Sequence, residues 1–155
     1  MSFDIVTGIV AVYGCTSLTI EWRIISMTHY QFSYVSKMVD DFTPSCVTKI
    51  VHLARVKNHA LNIGSVLIFD GWRFFQYLEG NYDEVSALTD SIRHDHRHHQ
   101  LNVLYEGASS QRQITQPGLE YALCYDDSLS CFEQLEGIAC LDALRAMMPR
   151  LDLTS

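Results

Sequence analysis

Asp70-Gly71 joins two short apolar runs, residues 66–69 and 72–79, and no other feature of the chain constrains its fold as tightly. An Asp-Gly link between alternating apolar segments specifies a tight β-hairpin, because glycine takes the positive φ that such a turn requires. The returning strand contains Phe74-Phe75-Gln76-Tyr77-Leu78-Glu79-Gly80, with one amide in the middle of an apolar run. Side chains alternate along a strand, which places Gln76 on the face of Trp72, Phe74 and Leu78. A buried amide left unpaired costs about 1–3 kcal/mol. Gln76 therefore needs a partner, which is either neighbouring backbone or something polar brought to that face.

The segments around the hairpin complete an architecture. Residues 28–35 alternate, with Tyr30, Phe32 and Tyr34 on one face, and read as a first strand. Thr43-Pro44 opens a helix whose apolar stripe is Val47, Ile50, Val51 and Ala54, and which is expected to end near Asn58. Val85, Leu88 and Ile92 mark a second helix that gives way to the polar run 94–100. Residues 101–105 read as a fourth strand, Pro117-Gly118 as a turn and residues 119–125 as a fifth strand. A helix is expected over 131–148, with Leu135, Ile138, Leu141, Leu144 and Met148 in register and Pro149 as its stop. This order predicts an α+β ferredoxin-like sandwich, β-α-β-β-α-β plus a fifth strand, with a C-terminal helix. Three parts are expected: an extension over 1–26 whose role is open, a domain over 27–125, and a helical cap over 126–155.

Charge and cysteine content exclude several functions. A net charge of −7 over 155 residues opposes nucleic-acid binding and adhesion to an anionic membrane. Five cysteines without a CxxC pair suggest neither a disulfide framework nor a zinc site, so a reducing cytoplasm is the simplest setting. The apolar stretch 5–15 follows Asp4, and the first basic residue is Arg23, which suits neither a secretory signal nor a membrane span. His94, His96, His98 and His99 sit beside Arg93 and Arg97, cations that disfavour another cation, and read as a solvated polar turn. No GxSxG elbow and no phosphate loop of the GxxxxGK[ST] type is present, so no enzyme is expected.

Tyr34, Asn58 and Gln76 follow one another at separations of 24 and 18 residues, at the ends of the first strand and first helix and within the third strand. With Phe75-Gln76-Tyr77-Leu78-Glu79-Gly80 and Asp95-His96-Arg97-His98-His99, they make residues 28–125 resemble the BLUF family of blue-light sensors using flavin. The resemblance implies that a flavin ring lies between the two helices, with FAD the family expectation and FMN or riboflavin the alternatives. Asn58 would hold the pyrimidine edge. Gln76 would bridge the flavin and Tyr34, because an amide both donates and accepts. Light would draw an electron and proton from Tyr34 through Gln76 and back, leaving Gln76 rotated or tautomerised. The resemblance also places Ile50 and Ile92 against the ring faces, Asp95 near the ribityl chain and Lys57 near the phosphates. Ile50 and Ile92 also suit ordinary helix core, and Asp95 and Lys57 ordinary surface charge.

The chain departs from the family pattern in places. Ile63-Gly64-Ser65 stands for Ile-Thr-Gly, Ser91 for a basic residue, and Pro117 and Leu119 for a tryptophan and a methionine. A photoreceptor that signals by altered association with itself or an unidentified regulatory protein is the expectation. A flavin-free protein-interaction module on the same fold is the alternative.

Overall fold

The protein is described here from a computed structural model covering residues 9–11, 24–26, 29–41 and 43–155. The sequence expectations for the rest of the 1–26 extension lie outside the described residues. Two three-residue strands, β1 (Ile9–Ala11) and β2 (Ile24–Ser26), pair antiparallel as a separate ribbon. The main sheet follows: β3 (His29–Met38), β4 (Gly64–Phe69), β5 (Arg73–Gly80), β6 (His98–Ser109) and β7 (Gly118–Leu123). Helix α1 (Pro44–Ala60) links β3 to β4, and α2 (Tyr82–Arg93) links β5 to β6.

The sheet order is β6-β3-β5-β4-β7, antiparallel throughout except for the parallel β4–β7 pair. That is the ferredoxin-like arrangement with one added edge strand. Strand β5, which carries Gln76, is central. Parity along it divides the core in two. Phe74 and Leu78 face α1 and α2, together with Met38, Val47, Val51, Phe32 and Val85. Phe75 and Tyr77 face the other way, against Leu129, Phe132, Leu141 and Leu144 of the C-terminal segment.

Local chemistry sets the boundaries. In the β4–β5 hairpin Gly71 has φ 93°, and the Asp70 side chain accepts from the backbone N–H groups of Trp72 and Arg73 at 2.9 and 2.6 Å. Trp72 thereby falls in the loop, 50 % exposed, and does not share the Gln76 face as its spacing implied. Asn81 caps α2 by accepting from the Asp83 N–H at 2.9 Å, and Asp83 and Glu84 in the first turn suit the helix dipole.

Strands β3 and β4 run two or three residues beyond their expected ends, to Met38 and back to Gly64, and later elements differ further. Strand β6 begins at His98, inside the run read as a polar turn, and two register shifts against β3 absorb its extra length. Strand β7 stops at Leu123, two residues early. The single helix expected over 131–148 is broken into a 3-10 segment, Asp127–Gln134, and α3, Ile138–Met147. Gly137, with φ 63°, makes the break, and its N–H donates to Leu104 O at 2.8 Å, tying the break to β6. Hydrophobic period alone does not register such a turn, because both sides of it bury the same face.

Gly64 marks a close approach between β4 and the β6–β7 connection. A Cβ there would stand 2.8 Å from Ile114 Cβ and 3.3 Å from its carbonyl oxygen. Gly64→Ala is expected to lower stability by about 1–3 kcal/mol through overpacking. A urea unfolding midpoint equal to that of the unmodified chain would contradict this contact.

Candidate functional site

A cleft of about 230 Å³ opens between α1 and α2, with the helix-facing side of the sheet as its floor. Helix α1 contributes Ile50, Leu53, Ala54, Lys57 and Asn58, and α2 contributes Leu88, Ser91 and Ile92. The apolar stripe of α1 is thus divided: Val47 and Val51 are buried in the core, while Ile50 and Ala54, each three residues on, are half-buried along the cleft. Tyr34, Leu67, Phe74, Gln76 and Leu119 form the floor.

Tyr34 and Gln76 are direct partners across β3 and β5, 4 % and 7 % exposed. The Tyr34 hydroxyl donates to Gln76 Oε1 at 2.6 Å. Burial, reinforced by the Asp95 carboxylate and partly offset by Arg97, holds the Tyr34 phenol well above its ordinary pKa. The phenol is therefore protonated, and it donates to the amide oxygen. The Gln76 amide nitrogen is left without a protein partner among the described residues, at the floor of the cleft.

Asn58, 1 % exposed in the last turn of α1, donates through Nδ2 to Ser65 Oγ at 2.8 Å. The Ser65 hydroxyl donates in turn to Gly118 O at 2.8 Å. Ser65, one of the departures from the family pattern, therefore links α1 to β4 and β7. Of the other departures, Leu119 is 3 % exposed in the cleft floor, and the Ser91 hydroxyl is engaged with Ala87 O at 3.1 Å.

Asp95, just past α2, is not a solvated surface charge. It accepts from the Arg97 backbone N–H at 3.0 Å and from the Arg97 guanidinium, which holds its carboxyl below the usual carboxylate range. Arg97 and His98 also line the cleft, and the sequence reading missed both. Their signal was present in Asp95-His96-Arg97-His98-His99, but polarity hid it: only the start of β6 turns His98 inward. The His98 ring lies 6.0 Å from that of Tyr34 at an interplanar angle of 26°.

All seven residues singled out from sequence (Tyr34, Ile50, Lys57, Asn58, Gln76, Ile92 and Asp95) line this one cleft. Its walls are aliphatic, its floor offers a free amide N–H, and a lysine and an aspartate lie on its walls. Such a site accommodates a flat aromatic ligand with a polar edge and a charged tail.

Fold and cleft together define a small α+β domain with a ligand-sized cleft between its two helices. The chain belongs to the BLUF family, sensors of blue-light using FAD, whose family model matches residues 29–120. It is a flavin-binding blue-light photoreceptor domain of that family. Among curated proteins it is similar to the blue light- and temperature-regulated antirepressor BluF of Escherichia coli (strain K12), 29 % identical over 87 residues. That match covers 56 % of this chain and 22 % of the relative, so the chain spans about a fifth of that protein. Among solved structures it is similar to Klebsiella pneumoniae BlrP1 in complex with calcium and cyclic diGMP, at 28 % identity and a TM-score of 0.58, covering 68 % of this chain and 27 % of that one. The structure of the BlrP1 BLUF domain matches at 27 % identity and a TM-score of 0.57, covering 79 % and 75 %. BlsA in its photo-activated state, at 22 % identity and a TM-score of 0.59, shares the fold.

His98 generates a pH prediction. Its Nε2 donates to Ile92 O at 3.0 Å, leaving Nδ1 buried without a partner among the described residues, so a proton on Nδ1 would be stranded. Burial lowers its pKa below the ordinary 6.5, with Arg97 and His99 adding to the effect and Asp95 opposing it. The unfolded chain then binds this proton first on acidification, and stability falls as pH drops below about 6.5. In His98→Asn the decline between about pH 6.5 and 5 is expected to be shallower in urea titrations. An identical decline would contradict a buried neutral His98.

Proposed function

We propose that the cleft holds FAD and that Tyr34 and Gln76 form its light switch. The observation that carries this reading is the 2.6 Å bond from the Tyr34 hydroxyl to Gln76 Oε1 in the cleft floor, with the amide nitrogen unpartnered beside it. Ile50 and Ile92 pack on the two faces of the ring, Asn58 and Gln76 meet its polar edge, Asp95 lies near the ribityl chain, and Lys57 attracts the phosphates. When bound, FAD supplies a chromophore that absorbs blue light and, once excited, oxidises a nearby donor.

Tyr34 is that donor. Its phenol releases an electron and passes its proton to Gln76 Oε1 along the existing hydrogen bond. Burial favours this route, since water cannot replace Gln76 as the acceptor. The amide then rotates or tautomerises, and electron and proton return to Tyr34. An amide has two chemically different ends on one rotatable bond, so the exchange leaves a different pattern of donors in the cleft floor. Leu119, standing for a methionine in the floor, and Pro117, standing for a tryptophan before β7, offer Gln76 no competing hydrogen bond.

The output is a change in association with a regulatory protein or a second copy of the chain. Support comes from the Escherichia coli relative, whose name describes an antirepressor, an activity exerted on another protein. The C-terminal segment packed behind the sheet is the element that presents this change.

Two substitutions test the switch. Gln76→Leu is expected to retain flavin and abolish the light-induced red shift of its absorption band; a normal shift would contradict the role of Gln76. Tyr34→Phe is expected to lengthen the fluorescence lifetime of bound flavin by removing the donor, and an unchanged lifetime would exclude Tyr34 from that role.

A further inference from the structure

We propose that Glu79 is a positioning residue that joins the switch strand to α3 through the backbone of Gln113 and the side chain of Arg145. The proposal rests on the Tyr34–Gln76 reading and extends it to the route by which the strand's state leaves the cleft.

Glu79 lies three residues after Gln76 on β5, so its side chain projects from the opposite face, toward the C-terminal segment. It is fully buried, at 0 % exposure. A carboxylate in that position is tolerated only if its lone pairs are filled, and here they are. Oε2 accepts from the Tyr77 hydroxyl at 2.7 Å, from the Gln113 N–H at 2.8 Å and from Gln31 Nε2 at 3.4 Å. Oε1 accepts from the Ile114 N–H, and Arg112 Nε stands 3.7 Å away. Every partner is a donor. Burial and the nearby Glu79 charge raise the Tyr77 pKa, so that phenol remains a donor as well.

Two of those donors belong to the connection between β6 and β7. Glu79 thus pins the β6–β7 connection to β5, although the two are 34 residues apart in sequence. From there the connection runs two ways. Downstream lie Gly118, which meets Asn58 through Ser65, and Leu119, which lies in the cleft floor. Sideways, Gln113 Oε1 accepts from Arg145 Nε of α3 at 2.9 Å, and Ile114 is packed in one cluster with Leu141 and Leu144. A displacement of β5 caused by the Gln76 amide therefore reaches α3 through two hydrogen-bonded joints. The route does not use Pro117, just before β7, or Leu119 within it.

Hydrogen exchange of the FAD-loaded full chain, measured by mass spectrometry in darkness and under blue light, tests the route, with the absorption shift recorded on the same samples. The unmodified chain is expected to show a light-dependent change in amide exchange at 113–114 and along α3, of about 2- to 30-fold, the span typical of coupled sites. In Glu79→Gln, which places an amide N–H against donors, and in Arg145→Gln, the change at α3 should vanish while the red shift persists. Arg145 is 49 % exposed, so its replacement keeps the test valid even where Glu79→Gln fails to fold. A red shift in the unmodified chain with no change at α3, or an equal change at α3 in both variants, overturns the route and leaves the switch standing. Absence of any red shift in the unmodified chain overturns the switch itself and the route with it.

Discussion

The hydrogen bond from Tyr34 to Gln76 organises the rest of this structure. It requires β3 and β5 to be neighbours in register, which the ferredoxin-like order supplies by placing the first and third strands of the motif side by side. It also requires both side chains to be dry. The two helices provide that by roofing the same face, and the cleft between them leaves one end of the amide open. A polar pair in the middle of an apolar sheet face is costly unless each group is satisfied, so a bound group that meets the free amide end stabilises the whole arrangement.

Strand β5 is the element through which this site touches everything else. One face carries Phe74, Gln76 and Leu78 toward the helices; the other carries Phe75, Tyr77 and Glu79 toward the C-terminal segment. Both layers read the position of a single strand. In the proposed switch, a displacement of β5 at the cleft floor is carried behind the sheet without any side chain passing through it. Packed interiors transmit such shifts because they have few voids in which to absorb them.

Much of this was legible in the chain itself. The Asp70-Gly71 turn, the helical stripes and the alternation of β5 gave the element order, and the seven residues picked for the cleft all line it. What stayed hidden has physical causes. Alternation places Trp72 on the strand because it does not say where a hairpin loop begins. Arg97 and His98 sat in a run whose polarity suggested solvent, whereas an ion pair to Asp95 and a strand start turned both toward the cleft. The break at Gly137 left the apolar period undisturbed. Ser65 meets Asn58 only because the fold brings α1 against β4, a contact that no local pattern around Ser65 encodes.

The central claim is that this cleft binds flavin and that light changes the hydrogen bonding around it. The most direct test is an absorption spectrum of the protein, mixed with FAD and desalted, recorded before and after blue light. A retained flavin band that shifts to longer wavelength and recovers in darkness is the result this account predicts. A protein that emerges from the desalting column without flavin, or holds flavin whose spectrum is indifferent to light, would contradict it.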